Sequence, residues 1–443
     1  MTVPLAAVWA AVALSLPALA ALLVANAGRL AAGQFATPGV FALTHTATLA
    51  WGTLTIFGAS YQMSQSLLGQ RLAGDRWIPW QLAGFASGTL ALIAGFHHSR
   101  LEWVVAGGIL VVAAAWLFLA IMVRSTRALR AQPSRVRASV SPPGAASADR
   151  RQGRWVHGLA MAAATTCLGL VTAWGVVLAL ALRYPFWPAV HRAWAGLAAH
   201  ATLGLGGWFA LMVAGVSFRL VPLIHGTRPV HERRALAVTL LLLAAVGLAV
   251  AGAPGPNQLL RRLAVAAALA AHAVYCLELH SLLKQRRRRT PDLNVHHWYA
   301  VMAWGWALAA MAVVWAALGP GRWPAWAPAA ATGLLGGWVT QAILGQLYKV
   351  TPFLMWHYRA YVPDVLAIPN LPDLYAPRAG RVALWATNLG MAAVVAATAT
   401  GSPPVARAGA WLFAAGAACA SWLFGYSWLG AVLRRRLVFT WRR

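Results

Sequence analysis

A Trp, a Gly seven residues later and an aromatic three residues after that recur three times in this chain. The copies are Trp51, Gly58 and Tyr61; Trp208, Gly215 and Phe218; and Trp338, Gly345 and Tyr348. The second and third copies also carry a proline four residues past the aromatic, Pro222 and Pro352. The residues between them are only generically apolar. A phrase recurring at fixed internal offsets implies repeated structural units. The Trp residues lie 157 and then 130 residues apart, room for several membrane helices per unit. Three such units differ from the two-half plan of many transporters.

Each copy sits in a long apolar stretch. The chain is 60% hydrophobic and 10% charged, whereas soluble domains carry about a quarter charged residues. Helices that cross a bilayer need roughly 20 apolar residues, and twelve spans of that kind are expected. They lie near 4–26, 38–68, 77–97, 101–123, 155–183, 193–224, 235–252, 263–283, 298–318, 329–356, 382–400 and 408–432. The charge distribution orients them. With the N-terminus in the cytoplasm, only Arg29, Arg100, Arg183, Arg192, Arg261, Arg262, Arg322 and Arg407 fall outside. Arg219 and Lys349 fall near inner helix ends, where they are expected to snorkel. The rest of the 36 Lys and Arg fall inside, as positive-inside topology requires. The basic excess therefore reports topology, and nucleic acid is not an expected partner.

Residues 4–26 end in small residues, as a secretion signal does, but Met1 to Val8 carry no positive charge. They are read as a retained first span. Segment 124–154 is rich in Arg, Ser, Pro and Ala and reads as a flexible basic cytoplasmic linker. The run Lys284 to Arg289, in a basic loop over 284–297, and the tail 434–443 read as anchors to anionic membrane lipid. The loop 357–381, with Asp364 and Asp373, reads as a connector. Cys167, Cys276 and Cys419 lie in apolar segments without a CxxC or CxxCH spacing, so neither a zinc site nor a covalent c-type haem is indicated.

The repeated phrase falls in spans 2, 6 and 10, four helices apart. This divides the chain into four-helix repeats over 1–123, 155–283 and 298–433. An all-α polytopic membrane protein of twelve helices in three pseudo-threefold repeats, with both termini cytoplasmic, resembles the main subunit of the haem–copper oxidase superfamily, which includes nitric oxide reductases. Residues 45–67 (HTATLAWGTLTIFGASYQMSQSL) resemble helix 2 of that group and residues 334–354 (LLGGWVTQAILGQLYKVTPFL) its helix 10.

That resemblance implies a respiratory protein of a prokaryotic-type inner (cytoplasmic) membrane, with haem as cofactor. It also exposes departures. The family holds one haem by His on helices 2 and 10, a second by another His on helix 10, and copper by three His on helices 6 and 7. Here Ala330 and Thr332 stand where the helix-10 pair belongs, and 235–252 contains no His. Copper takes imidazole or sulfur ligands, so a copper site is not expected, nor is ordinary oxygen or nitric oxide reduction. Two membrane histidines remain, His45 on span 2 and His200 on span 6. Aligning the Trp residues puts His45 level with Thr202 and Thr332, and His200 level with Leu43 and Ala330. These are the two alternate positions of the family's helix-10 pair. Rotating that arrangement by one repeat turns His45 and His200 toward each other. The implied group is a b-type haem with both as axial iron ligands. Ala47, Gly204, Gly206 and Gly207 either admit the flat macrocycle to the backbone or pack helices closely.

Further candidate cofactor-binding groups are His97 and His98, beside Arg100 at an outer helix end, and His272 within span 8. His191 belongs to an aromatic belt near Trp187 and Trp194. His296 and His297 resemble an oxidase His pair, but on the wrong helix and at the wrong depth, so interfacial placement is expected. His157, His225, His231 and His357 fall near the cytoplasmic surface. Glu278, near Tyr275 and His280, is the carboxylate inside a span. It is expected to snorkel, to be protonated, or to pair with His280 or an arginine, and a proton or quinol role stays open. The implied function is membrane electron transfer or small-ligand binding, within or beside a respiratory complex whose other subunits or cytochrome would be partners. The alternatives are a haem-free secondary transporter and a structural or assembly subunit.

Overall fold

The computed structural model describes residues 3–68, 72–131, 154–184, 193–253, 257–318, 326–359 and 376–432. Most of the expected linker, the tail 434–443, most of the 357–381 loop with Asp364 and Asp373, His191 and the side chain of His357 lie outside the described residues.

The described chain is helical, without a strand. In order the elements are α1 (Val3–Ala31), α2 (Pro38–His45), π1 (Thr46–Thr53), α3 (Leu54–Leu68), α4 (Ile78–His97), α5 (Leu101–Ala131) and α6 (Arg154–Arg183). There follow α7 (Ala193–Thr202), π2 (Leu203–Ala210), α8 (Leu211–His225), α9 (Glu232–Ala251), α10 (Gln258–Lys284) and α11 (Leu293–Leu318). The last are α12 (Trp326–Thr332), π3 (Gly333–Val339), α13 (Thr340–Arg359), α14 (Pro377–Thr400) and α15 (Pro403–Val432). Here π1 to π3 are wide helical turns continuous with the α-helices on either side. Eleven helices among the described residues are long and apolar enough to cross a membrane. The remaining expected span, the tenth, is α12, π3 and α13 run end to end. Prolines open α2 and α14 at the first turn, where no N–H is missed, and Gly226 and Gly401 close α8 and α14 at positive φ.

Two compact units form. One comprises Met1–Thr55 with Thr290–Arg443, the other Ile56–Arg289. In the first, α15 packs on α14 and α1, α11 lies against π3 and α13, and π1 touches α1. In the second, α4 pairs with α5, α9 with α10, and α6 runs along π2 and α8. Lipid is as apolar as leucine, so close packing and hydrogen bonds, not hydrophobicity, hold such helices together. Glycine pairs set the tightest crossings. A Cβ on Gly107 of α5 would stand 2.6 Å from the carbonyl oxygen of Gly88 on α4. One on Gly390 of α14 would stand 2.6 Å from the carbonyl oxygen of Gly409 on α15. Both pairs are 19 residues apart across their turns.

The repeated phrase is core. Trp51, Trp208 and Trp338 are buried, as are Tyr61, Phe218 and Tyr348. Each repeated aromatic meets an aromatic two spans further on. Tyr61 lies 5.5 Å from Phe118 of α5, Phe218 lies 6.0 Å from Tyr275 of α10, and Tyr348 lies 5.1 Å from Phe424 of α15. The glycine just before the Trp is matched too. Gly207 abuts Cys167 of α6, and Gly337 abuts Trp304 of α11. One residue earlier, Gly206 meets Val246 of α9 and Gly336 meets Met391 of α14.

Candidate functional site

The three wide turns are in one register. Each begins five residues before the repeated Trp, at Thr46, Leu203 and Gly333. A π-turn inserts a residue and leaves a backbone carbonyl displaced from its usual partner, and such turns gather at functional sites. Threonine hydroxyls repair two of them. Thr53 donates to the carbonyl of Thr48 and Thr340 to that of Leu335, both five residues back and both at 2.8 Å. The second copy has Ala210 at this position.

His45 stands immediately before π1, the place held by Thr202 before π2 and Thr332 before π3. Its Nδ1 is 2.8 Å from the carbonyl oxygen of Phe41. A carbonyl only accepts, so Nδ1 carries the proton and Nε2 the lone pair. Metal-bound histidines are held in this way, with one ring N–H fixed to a carbonyl and the other nitrogen presented to the metal. The residue fits an axial haem ligand in tautomer. His200, on α7, is half-buried, and its ring lies along α6, 3.0 Å from where a Cβ on Gly175 would be. Gly206 and Gly207 serve the second of their two expected roles. Their open faces are filled by Val246 and Cys167, and they admit neighbouring helices rather than a macrocycle.

The other candidates scatter. His97 and His98 end α4 exposed, edge to face at 5.0 Å, with His98 beside Trp103. His272 is turned to its own helix, with Nε2 3.2 Å from the sulfur of Cys276. Among the described residues, no three His, Cys, Asp or Glu side chains gather as a metal group.

Three expectations need correction. His297, expected at the interface, is enclosed by protein, at 1% exposure. Its Nδ1–H donates to Gln341 Oε1 at 2.7 Å, and Gln341 Nε2 donates to Thr387 Oγ1 at 3.1 Å, a polar chain across α11, α13 and α14. The ring stacks on Tyr348 at 5.3 Å, and its Nε2 is buried without a hydrogen-bond partner. The signal for it was the third repeat itself. Gly345 leaves room for the Cβ of His297, which lies 2.7 Å from where a Cβ on that glycine would be.

Glu278 does not snorkel, and its partner is not the exposed His280. It is fully buried and clamped by the loop joining α8 to α9 and the first turn of α9. Arg228 donates through both terminal nitrogens, at 2.8 and 3.4 Å, and Arg234 donates at 3.0 Å. The backbone N–H of His231 donates to Oε1 at 2.8 Å. Arg228 also reaches Ser281 Oγ at 3.1 Å. The loop joining α8 to α9 is thereby fastened to α10. Sequence reasoning named an arginine as a possible partner, but nothing local singled out two residues more than 40 positions away. Lys349 likewise does not simply snorkel, because its ammonium pairs with Asp292 at the start of α11.

No protein-family model matches the chain, and no curated protein matches it.

Proposed function

We propose that the chain is a haem b-binding integral membrane protein of three four-helix repeats. It would work in electron transfer or small-ligand binding, within or beside a respiratory complex of a prokaryotic-type inner membrane. Both termini would lie in the cytoplasm. The repeat reading is supported by the matched π-turns, the matched contacts of Gly206 with Gly336 and of Gly207 with Gly337, and the three matched aromatic pairs. The haem reading rests on one observation. His45 stands just before the first π-turn with Nδ1–H tied to Phe41, so that Nε2 would be the nitrogen to hold the group. The repeat register nominates His200 as the second axial ligand. Held by His45 and His200, the group would supply one-electron transfer. The protein's own part is to fix the imidazole tautomer and to keep water from the iron with apolar helix faces.

A reduced-minus-oxidised absorbance spectrum with a pyridine haemochrome assay tests this. Sharp b-type bands unmoved by carbon monoxide are expected. His45→Ala and His200→Ala should each abolish or shift them. Wild-type spectra in both variants would remove the assignment. A carbon monoxide shift in the wild type would replace electron transfer with ligand binding. Protein made with ample haem yet lacking it would leave the assembly or transport alternative.

A further inference from the structure

The first unit holds a small, partly open cavity walled by α1, π1, α13 and α15. Its lining includes Trp9 and Val12 of α1, Trp51 of π1, Thr351 of α13, and Ser421 and Phe424 of α15. Three of its lining residues carry a buried polar atom without a hydrogen-bond partner: the indole Nε1 of Trp9, the indole Nε1 of Trp51 and the hydroxyl of Ser421. Both Trp side chains are almost wholly enclosed, at 3% and 1% exposure. Buried polar atoms in native proteins are nearly always paired, so three orphans around one void need a common explanation.

Ser421 sharpens the point. A hydroxyl on a membrane helix ordinarily bonds the carbonyl four residues back, as Thr44, Thr46, Thr48, Thr239 and Thr398 do here. Ser421 makes no such bond. The room for the centre of a water-sized sphere is about 10 Å³, close to what one water needs and far too small for a quinone or a haem. The wall offers no ionisable side chain. An anion there would be desolvated without a counter-charge, which proteins avoid.

We infer that this cavity binds a single ordered water molecule that joins Trp9, Trp51 and Ser421. The water's own four hydrogen bonds are accounted for. An indole N–H can only donate, and a water accepts two bonds, one from each Trp. Its two protons then point to the hydroxyl oxygens of Ser421 and Thr351. Four helical segments distant in sequence become tied through one molecule, and the Trp of the first repeated phrase is one of its anchors. The site is independent of haem.

The test is indole ¹⁵N–¹H correlation spectroscopy of the full chain in detergent, with Trp9 and Trp51 assigned through Trp9→Phe and Trp51→Phe. Both resonances are expected at hydrogen-bonded shifts with cross-peaks to water. Ser421→Ala should lose those cross-peaks, while Ser421→Thr should keep them and the Trp208 resonance should stay put in both. A wild-type protein whose two resonances lack water cross-peaks overturns the inference, whatever the variants do. Shifts that follow added chloride overturn it in favour of an anion.

Discussion

His297 shows how a buried polar residue is maintained inside a membrane protein. Its proton goes to Gln341, whose amide in turn donates to Thr387, whose hydroxyl ends on the backbone of Ala383. Leaving one member of such a chain without its partner costs more than the bond is worth, about 1–3 kcal/mol. His297→Leu, which strands Gln341 Oε1, should therefore lower the thermal unfolding midpoint in detergent. Gln341→Leu, which strands His297 Nδ1–H, should do the same. The double variant should recover much of the loss, and additive losses would refute the coupling. Glu278 is a starker case. Glu278→Ala removes the acceptor of two guanidinium groups and one backbone N–H. Breaking a buried pair costs about 3 kcal/mol or more, tempered here because Arg228 and Arg234 are partly exposed. Limited proteolysis should report faster cleavage in the loop around Gly226 to His231. Arg228→Ala should do more than Arg234→Ala, because Arg228 makes both a forked contact and the bond to Ser281. The partners within each cluster could not be picked out in the sequence, beyond an unspecified arginine for Glu278, because each cluster joins residues more than 40 positions apart, and pairing across helices leaves no periodic trace along one of them.

At the scale of elements the sequence was far more readable. Helix existence followed from apolar length alone, since a backbone in lipid must satisfy its own hydrogen bonds. The repeated Trp, Gly and aromatic proved to be core positions, because large and small side chains at fixed offsets are what interdigitating helices require. The π-turns were not legible. Their widening is spread over residues such as LGLGGWFA and TATLAWGT that share little but the Trp. Only the threonine two residues after Trp51 and after Trp338 hints at a displaced carbonyl. The glycine crossings are a property of this level. Gly390→Ala places a methyl 2.4 Å from the backbone nitrogen of Phe413, so α14 and α15 must separate. A loss of about 1–3 kcal/mol is expected, as for other overpacked sites. Gly247→Ala in α9 is the control, since nothing lies within 4 Å of its Cβ position. It should be neutral or stabilising by up to about 1 kcal/mol on helix propensity. Equal midpoints for the two variants would show that the crossing carries no such strain.

For the whole molecule, the charge bias makes an argument that packing cannot. Helices fix which residues touch, but orientation in the membrane is set by where Lys and Arg fall, because moving them across the bilayer is costly. Arg100, at the turn between α4 and α5, and Arg289, beyond α10, are separated by five apolar helices of spanning length. An odd number puts them on opposite faces, and the proposed orientation, with the N-terminus in the cytoplasm, would put Arg100 outside. In a background with Cys167, Cys276 and Cys419 replaced, Arg100→Cys should react with a membrane-impermeant maleimide on intact cells. Arg289→Cys should react only after permeabilisation. Labelling of both from one side would break the span count between them, and the inverted pattern would reverse the orientation. Inversion would also carry His45 from the outer half of the bilayer, where the proposed orientation would put it, to the inner half, because it lies early in the span Pro38–Gln62. The same pair of labels therefore decides on which side electrons would have to reach the proposed haem.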